Sequence, residues 1–162
     1  MKLQMTLNGK PVSCDVDSCA RLIDLLRDDL DAKSVKEGCG EGECGACTVL
    51  LDGEPVNACL VLAAQVDGSR VTTVEGLSRD GELHPVQRAF AETGAVQCGF
   101  CTPGFIMATV ALLDRTPRPN DREIRDALAG HLCRCTGYRK IMDAVRRAAE
   151  LTASPSAGAP GQ

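Results

Sequence analysis

The sequence predicts an α+β chain in two parts: a strand-rich N-terminal half built around one helix, and an all-helical C-terminal half. Three observations carry that prediction. Asn8-Gly9 and Asp52-Gly53, each flanked by apolar stretches, are hairpin turns, and both lie in the first half. After about residue 76 the punctuation changes to helix starts and stops. Eight of the ten cysteines form two groups, one in each half.

Each element has a local reason. Leu3, Met5 and Leu7 alternate, as do Val12, Cys14 and Val16, which predicts two strands joined by Asn8-Gly9 as a type I′ turn. Ser18 is the expected N-cap of a helix near 19–30, with Leu22, Leu25, Leu26 and Leu30 on its apolar face. Residues 36–47 are Gly-rich and hold three cysteines; 48–51 and 54–58 flank Asp52-Gly53 as a second hairpin; a further strand is expected at 70–74. Pro85 as a first helical residue and Gly94 as a stop predict a helix at 85–93. Thr102-Pro103 opens the next, with Phe105, Ile106, Val110 and Leu113 as its core face. Asn120 with Glu123 is a capping-box pattern for a third helix ending near Gly130, and 137–151 form a fourth with Tyr138, Ile141, Val145 and Ala148 in register. The expected organisation is therefore 1–76, a linker at 77–84, 85–151, and a disordered Ser/Ala/Pro/Gly tail at 152–162.

Composition narrows the function classes. With 162 residues, no Trp and 2% aromatics, the core must be aliphatic. Two units this small bury little surface, and a bound metal group is one way to staple them. A net charge of −4, without a basic run, argues against nucleic-acid binding. No apolar run approaches the roughly 20 residues that cross a bilayer. The first residues carry no secretory or twin-arginine pattern, so the expected location is cytoplasmic, where clustered thiols are metal ligands more often than disulfides. No Ser-His-Asp set, P-loop or dinucleotide fingerprint is visible. The chain shows parts for electron transfer and none for substrate chemistry.

The cysteines define those parts. Cys39, Cys44, Cys47 and Cys59 form a C-x4-C-x2-C-x11-C run. Four thiolates are the ligand count of one [2Fe–2S] cluster, and this spacing opens as plant-type ferredoxins do. A four-cysteine zinc site is the rival, but zinc modules usually present two short pairs. Cys98 and Cys101, then Cys133 and Cys135, form the second group. By themselves these two pairs suit a cluster or zinc almost equally; the first group tips them toward a second [2Fe–2S] cluster. A Rieske centre is excluded, because His84 and His131 are the only histidines and neither sits in a ligand pair. Cys14 and Cys19 read as small buried or bystander residues. His131 is expected to cap a helix C-terminus as an imidazolium, and His84 to be a linker or N-cap residue. Cys101-Thr102-Pro103-Gly104 and Cys135-Thr136-Gly137-Tyr138 each place a cysteine just before a helix, where the helix field favours thiolate.

Three stretches, Cys39-Gly40-Glu41-Gly42-Glu43-Cys44-Gly45-Ala46-Cys47-Thr48-Val49, Gln97-Cys98-Gly99-Phe100-Cys101-Thr102-Pro103-Gly104 and Leu132-Cys133-Arg134-Cys135-Thr136-Gly137-Tyr138, resemble the iron–sulfur subunit of the molybdenum hydroxylases, the xanthine dehydrogenase, aldehyde oxidoreductase and carbon monoxide dehydrogenase family. The resemblance spans residues 2–150. It implies an N-terminal ferredoxin-like β-grasp domain and a C-terminal four-helix domain, each holding one [2Fe–2S] cluster. It implies that Cys98, Cys101, Cys133 and Cys135 hold the cluster nearer the molybdopterin, and Cys39, Cys44, Cys47 and Cys59 the one nearer FAD. Gln97 matches a glutamine that hydrogen-bonds the pterin, and Cys135 the ligand closest to it; a capping amide is the plainer role for Gln97. The implied partners are a large molybdopterin-binding (Mo) subunit and a medium FAD-binding subunit, in a heterotrimer or a dimer of heterotrimers. The implied activity is electron transfer from molybdenum to FAD, and the wording of the first motif is closest to the xanthine dehydrogenase type. A free-standing two-cluster ferredoxin or redox sensor is the alternative, and a zinc-stabilised interaction module a third reading.

Overall fold

The structure is a computed structural model that describes residues 1–153. Strands β1 (Lys2–Leu7) and β2 (Lys10–Asp15) pair antiparallel, with Leu3 opposite Cys14 and Met5 opposite Val12. Asn8 and Gly9 both take positive φ, 52° and 78°, as the predicted turn requires. β3 (Thr48–Leu51) and β4 (Glu54–Asn57) form the second hairpin around Asp52-Gly53. β5 (Arg70–Thr72) completes a five-stranded sheet of order β2-β1-β5-β3-β4, parallel to β1 and antiparallel to β3.

One helix covers the sheet. α1 runs Leu22–Asp24 and continues to Asp29 as a wider π-helical turn, closed by the Leu30 N–H donating to the Leu25 carbonyl at 3.1 Å. Leu22, Ile23, Leu25 and Leu26 are buried against Leu3, Met5, Leu7, Val49 and Val71. Each such aliphatic burial stabilises by roughly 1.5–3 kcal/mol. The expected start at Ser18 is corrected. Asp17 accepts from the Cys19 N–H at 2.8 Å and the Ala20 N–H at 3.0 Å, forming an Asx-type turn that holds Cys19 outside the helix. Arg21 is the boundary residue and provides no side-chain cap.

The second half is helical. α2 (Pro85–Glu92), α3 (Thr102–Arg115), α4 (Asp121–Leu128) and α5 (Arg139–Ala153) share a separate core. α3 is buried at every residue from Gly104 to Leu113, so it is the central helix rather than an amphipathic one. α5 buries Ile141, Ala144, Val145, Ala148 and Leu151 at helical spacing. His84 caps α2, its Nδ1 accepting from the Val86 N–H, and Asn120 with Glu123 closes the predicted box on α4. α5 starts two residues later than expected because Gly137 and Tyr138 both take positive φ, 65° and 68°. It also runs to Ala153, into the stretch expected to be tail; residues 154–162 of that expectation lie outside the described residues. α3 packs on β3, whose Leu50 belongs to the helical core, so the two halves share a boundary. Among the described residues no helix is long and apolar enough to cross a membrane.

Candidate metal centres

The first four cysteines converge. Cys39 and Cys44 lie on the loop entering β3, Cys47 one residue before that strand, and Cys59 just past β4. The β3–β4 hairpin folds Cys59 back beside Cys47, and their side chains interact directly. Cys39 and Cys44 form a second interacting pair. The Glu41 and Glu43 N–H groups donate to Cys39 Sγ at 3.5 and 3.2 Å. With the Cys44 N–H they hold the Cys39 thiol down to about 7, the Glu41 N–H contributing most. Cys47 is buried, and that burial pushes its thiol up to about 12.

The second four converge from two segments. Cys98 and Cys101 precede α3, and Cys133 and Cys135 lie between α4 and α5. Cys101 interacts with Cys133, and Cys98 with Cys135. The Thr136 hydroxyl donates to Cys133 Sγ at 3.0 Å and its N–H at 3.4 Å. Burial works against the Cys133 thiolate, and these bonds outweigh it, leaving the thiol below its ordinary value. The expected helix-field effect is corrected for Cys101. It stands at the N-cap of α3, but burial first and Cys133 second push it up to about 12. The echo fails at Cys135, where Thr136, Gly137 and Tyr138 separate the cysteine from α5.

Within each set the strongest thiol contacts run two by two, and a two-iron cluster takes two thiolates on each iron. Pairs at Cys39/Cys44 and Cys47/Cys59, and at Cys98/Cys135 and Cys101/Cys133, match that demand. Buried thiols that resist ionisation become ligands only beside a cation, so loading must release protons.

The remaining candidates sort cleanly. Gln97 is exposed next to exposed Cys98, four residues before the Cys101 N-cap of α3. Arg134 is exposed between the two last ligands. Cys14 packs at the edge of the sheet core, and Cys19 is exposed. His131 is the residue that sequence reasoning misjudged. Its ring is enclosed and burial pushes it down to about 4, so it is a neutral imidazole rather than a helix-capping cation. Thr48 Oγ1 donates to the Gly45 carbonyl at 2.8 Å, so the 3.0 Å contact with His131 Nε2 is an Nε2–H donating to that oxygen. Its signal, a lone polar residue two positions before a ligand cysteine, is too general to read from sequence.

Known proteins carry the same two modules. A model described as "2Fe-2S iron-sulfur cluster binding domain" matches residues 5–76, and one described as "[2Fe-2S] binding domain" matches residues 73–146. The nicotinate dehydrogenase small FeS subunit of Eubacterium barkeri is 53% identical over 152 residues, 94% of this chain and 97% of that protein. The chain belongs to the iron–sulfur subunits of the molybdenum hydroxylases. The xanthine dehydrogenase iron-sulfur-binding subunit of Escherichia coli O157:H7 is 50% identical over 146 residues, 88% of this chain and 91% of that one. The crystal structure of quinoline 2-oxidoreductase from Pseudomonas putida 86 contains a chain with TM-score 0.90 and 42% identity, covering 93% of this chain and 94% of its own. The α+β architecture is thus that of the molybdenum hydroxylase iron–sulfur subunits.

Proposed function

We propose that this chain is the electron-transfer subunit of a molybdopterin-dependent hydroxylase of the xanthine dehydrogenase type, passing electrons from a molybdenum centre on a large subunit to FAD on a medium subunit. The observation that carries the reading is the two-by-two meeting of eight thiols in two separate sets. Bound [2Fe–2S] clusters would supply one-electron carriers. Cys39, Cys44, Cys47 and Cys59 would hold one, within a ferredoxin-like β-grasp unit over 1–76. Cys98, Cys101, Cys133 and Cys135 would hold the other, within a four-helix unit over 85–151, with 77–84 as linker. The N–H groups of Glu41 and Glu43 and the Thr136 hydroxyl stabilise negative charge on sulfur, which raises the affinity of each site for an electron. Gln97 and Cys135, both exposed on the second set, would face the pterin of the large subunit.

The partners are then a large molybdopterin-binding subunit and a medium FAD-binding subunit, assembled as a heterotrimer or a dimer of heterotrimers in the cytoplasm. The substrate binds on the large subunit, outside this chain; the similar proteins are named for N-heteroaromatic rings (nicotinate, xanthine, quinoline) and for aldehydes. Purification of the tagged chain from its own host tests the assignment. Two co-purifying subunits, with molybdenum and flavin in step with iron, are expected. Elution as a redox-active monomer without molybdenum would instead establish the free-standing ferredoxin.

A further inference from the structure

Three segments meet between the two thiol sets, and they meet without slack. Gly45 follows Cys44 in the first set and has φ +68°. A Cβ on it would lie 2.5 Å from His131 Cδ2 and 2.6 Å from the Gly130 carbonyl oxygen. On its other side stands Gly104, in the first turn of α3 just after Cys101. A Cβ there would lie 2.1 Å from the Gly45 carbonyl oxygen and 3.3 Å from Ala46 Cα. The contact is locked by polar bonds. Thr48 Oγ1 joins the Gly45 carbonyl to His131 Nε2, and the Leu132 N–H donates to the Cys44 carbonyl at 3.0 Å. Phe105 backs the His131 ring, centroid to centroid 5.3 Å. His131 Nδ1 is buried with no partner among the described residues, so the ring is held by this seat and not by an outward bond.

We propose that Gly45, Gly104 and His131 form a spacer that fixes the separation of the two clusters, making them positioning residues for electron transfer between the clusters; this rests on the two-cluster reading above. Each belongs to a segment that carries a ligand: Gly45 adjoins Cys44, Gly104 follows Cys101, and His131 precedes Cys133. Residues chosen only to fill a core would tolerate an added methyl by rotating side chains. Here the obstacle is backbone on both sides, so added volume moves one ligand loop away from the other. With its Cβ 2.1 Å from the Gly45 carbonyl oxygen, Gly104→Ala falls more than about 1 Å short of ordinary van der Waals contact, and the loops must part to relieve it.

The test uses the assembled complex, reduced with dithionite. Through-space magnetic coupling between two paramagnetic centres falls steeply with their separation, so electron paramagnetic resonance reads the spacing directly. For Gly104→Ala, unchanged iron content, unchanged g-values of each cluster and a loss of inter-cluster splitting are expected, with a longer lag between reduction of the first and second cluster. Thr48→Val removes the lock with little change of shape and should give a smaller loss in the same direction. It serves in place of Gly104→Ala if that variant does not assemble. Wild-type splitting and lag in the variant that assembles would overturn the spacer while leaving the two-cluster reading intact. A wild-type complex with no iron–sulfur signal would overturn both.

Discussion

Phe105→Ala is the sharpest stability test of the helical half. Phe105 is 0% exposed, sits on the central helix, and touches the His131 ring at 5.3 Å and the Tyr138 ring edge-on at 6.4 Å. Truncating a buried Phe removes its transfer free energy and leaves a cavity, together about 3–5 kcal/mol. Both aromatic partners are tied to ligand segments: Tyr138 accepts from the Cys133 N–H at 3.0 Å, and His131 is bonded to Thr48. The site cannot collapse without disturbing them, so the loss belongs in the upper part of that range. At about 2–4 °C per kcal/mol for a chain of this size, the midpoint should fall by about 10 °C or more. The assay is thermal loss of the visible cluster absorption in the purified complex at fixed scan rate, beside Val110→Ala on the same helix. A fall no larger than that of Val110→Ala would refute the claim that Phe105 anchors both ligand segments.

Cys44→Ser should abolish one cluster's spectral signal, spare the other and block flavin reduction; survival of both signals would break the ligand assignment. Asn120→Ala deletes the α4 cap, whose side chain accepts from the Arg122 and Glu123 N–H groups, and should cost about 1 kcal/mol in denaturant titration, with no effect on either cluster. Glu75→Gln tests a carboxylate that joins the loop before Cys39 to the end of the sheet. Burial would raise its pKa, but bonds from Ser34 and Thr73 outweigh this and hold it below the ordinary range. Its folded value is lower than its unfolded one. The charged form's contribution is therefore present above the carboxylate range and is lost as pH falls through it. The stability advantage of the wild type over Glu75→Gln should shrink between neutral pH and pH near 4, by a screened and modest amount because the residue is partly exposed. An advantage that grows on acidification would contradict the sign.

Elements with local signals were legible in the sequence. The two hairpins, the Pro85 start, the Asn120 box and the α3 core face all follow from turn and cap chemistry, and the structure places each within a residue or two of expectation. Two helix starts differ from expectation for reasons that local cap and propensity rules do not weigh. Asp17 takes the N–H groups that Ser18 was expected to cap, and Tyr138 adopts a positive φ in place of a first helical turn. The cysteine spacing located both thiol sets, but not the way they pair, because pairing depends on how the β3–β4 hairpin and the α4–α5 loop return. The His131 seat between Gly45, Thr48 and Phe105 joins residues far apart in the chain, which no local pattern encodes.

Joint metal, sulfide and electron paramagnetic resonance analysis of the dithionite-reduced complex tests the two-by-two arrangement most directly. About four iron and about four acid-labile sulfide per chain, with two distinguishable rhombic signals, is the predicted result. Two zinc and no sulfide, or a silent spectrum from fully metallated material, would contradict it.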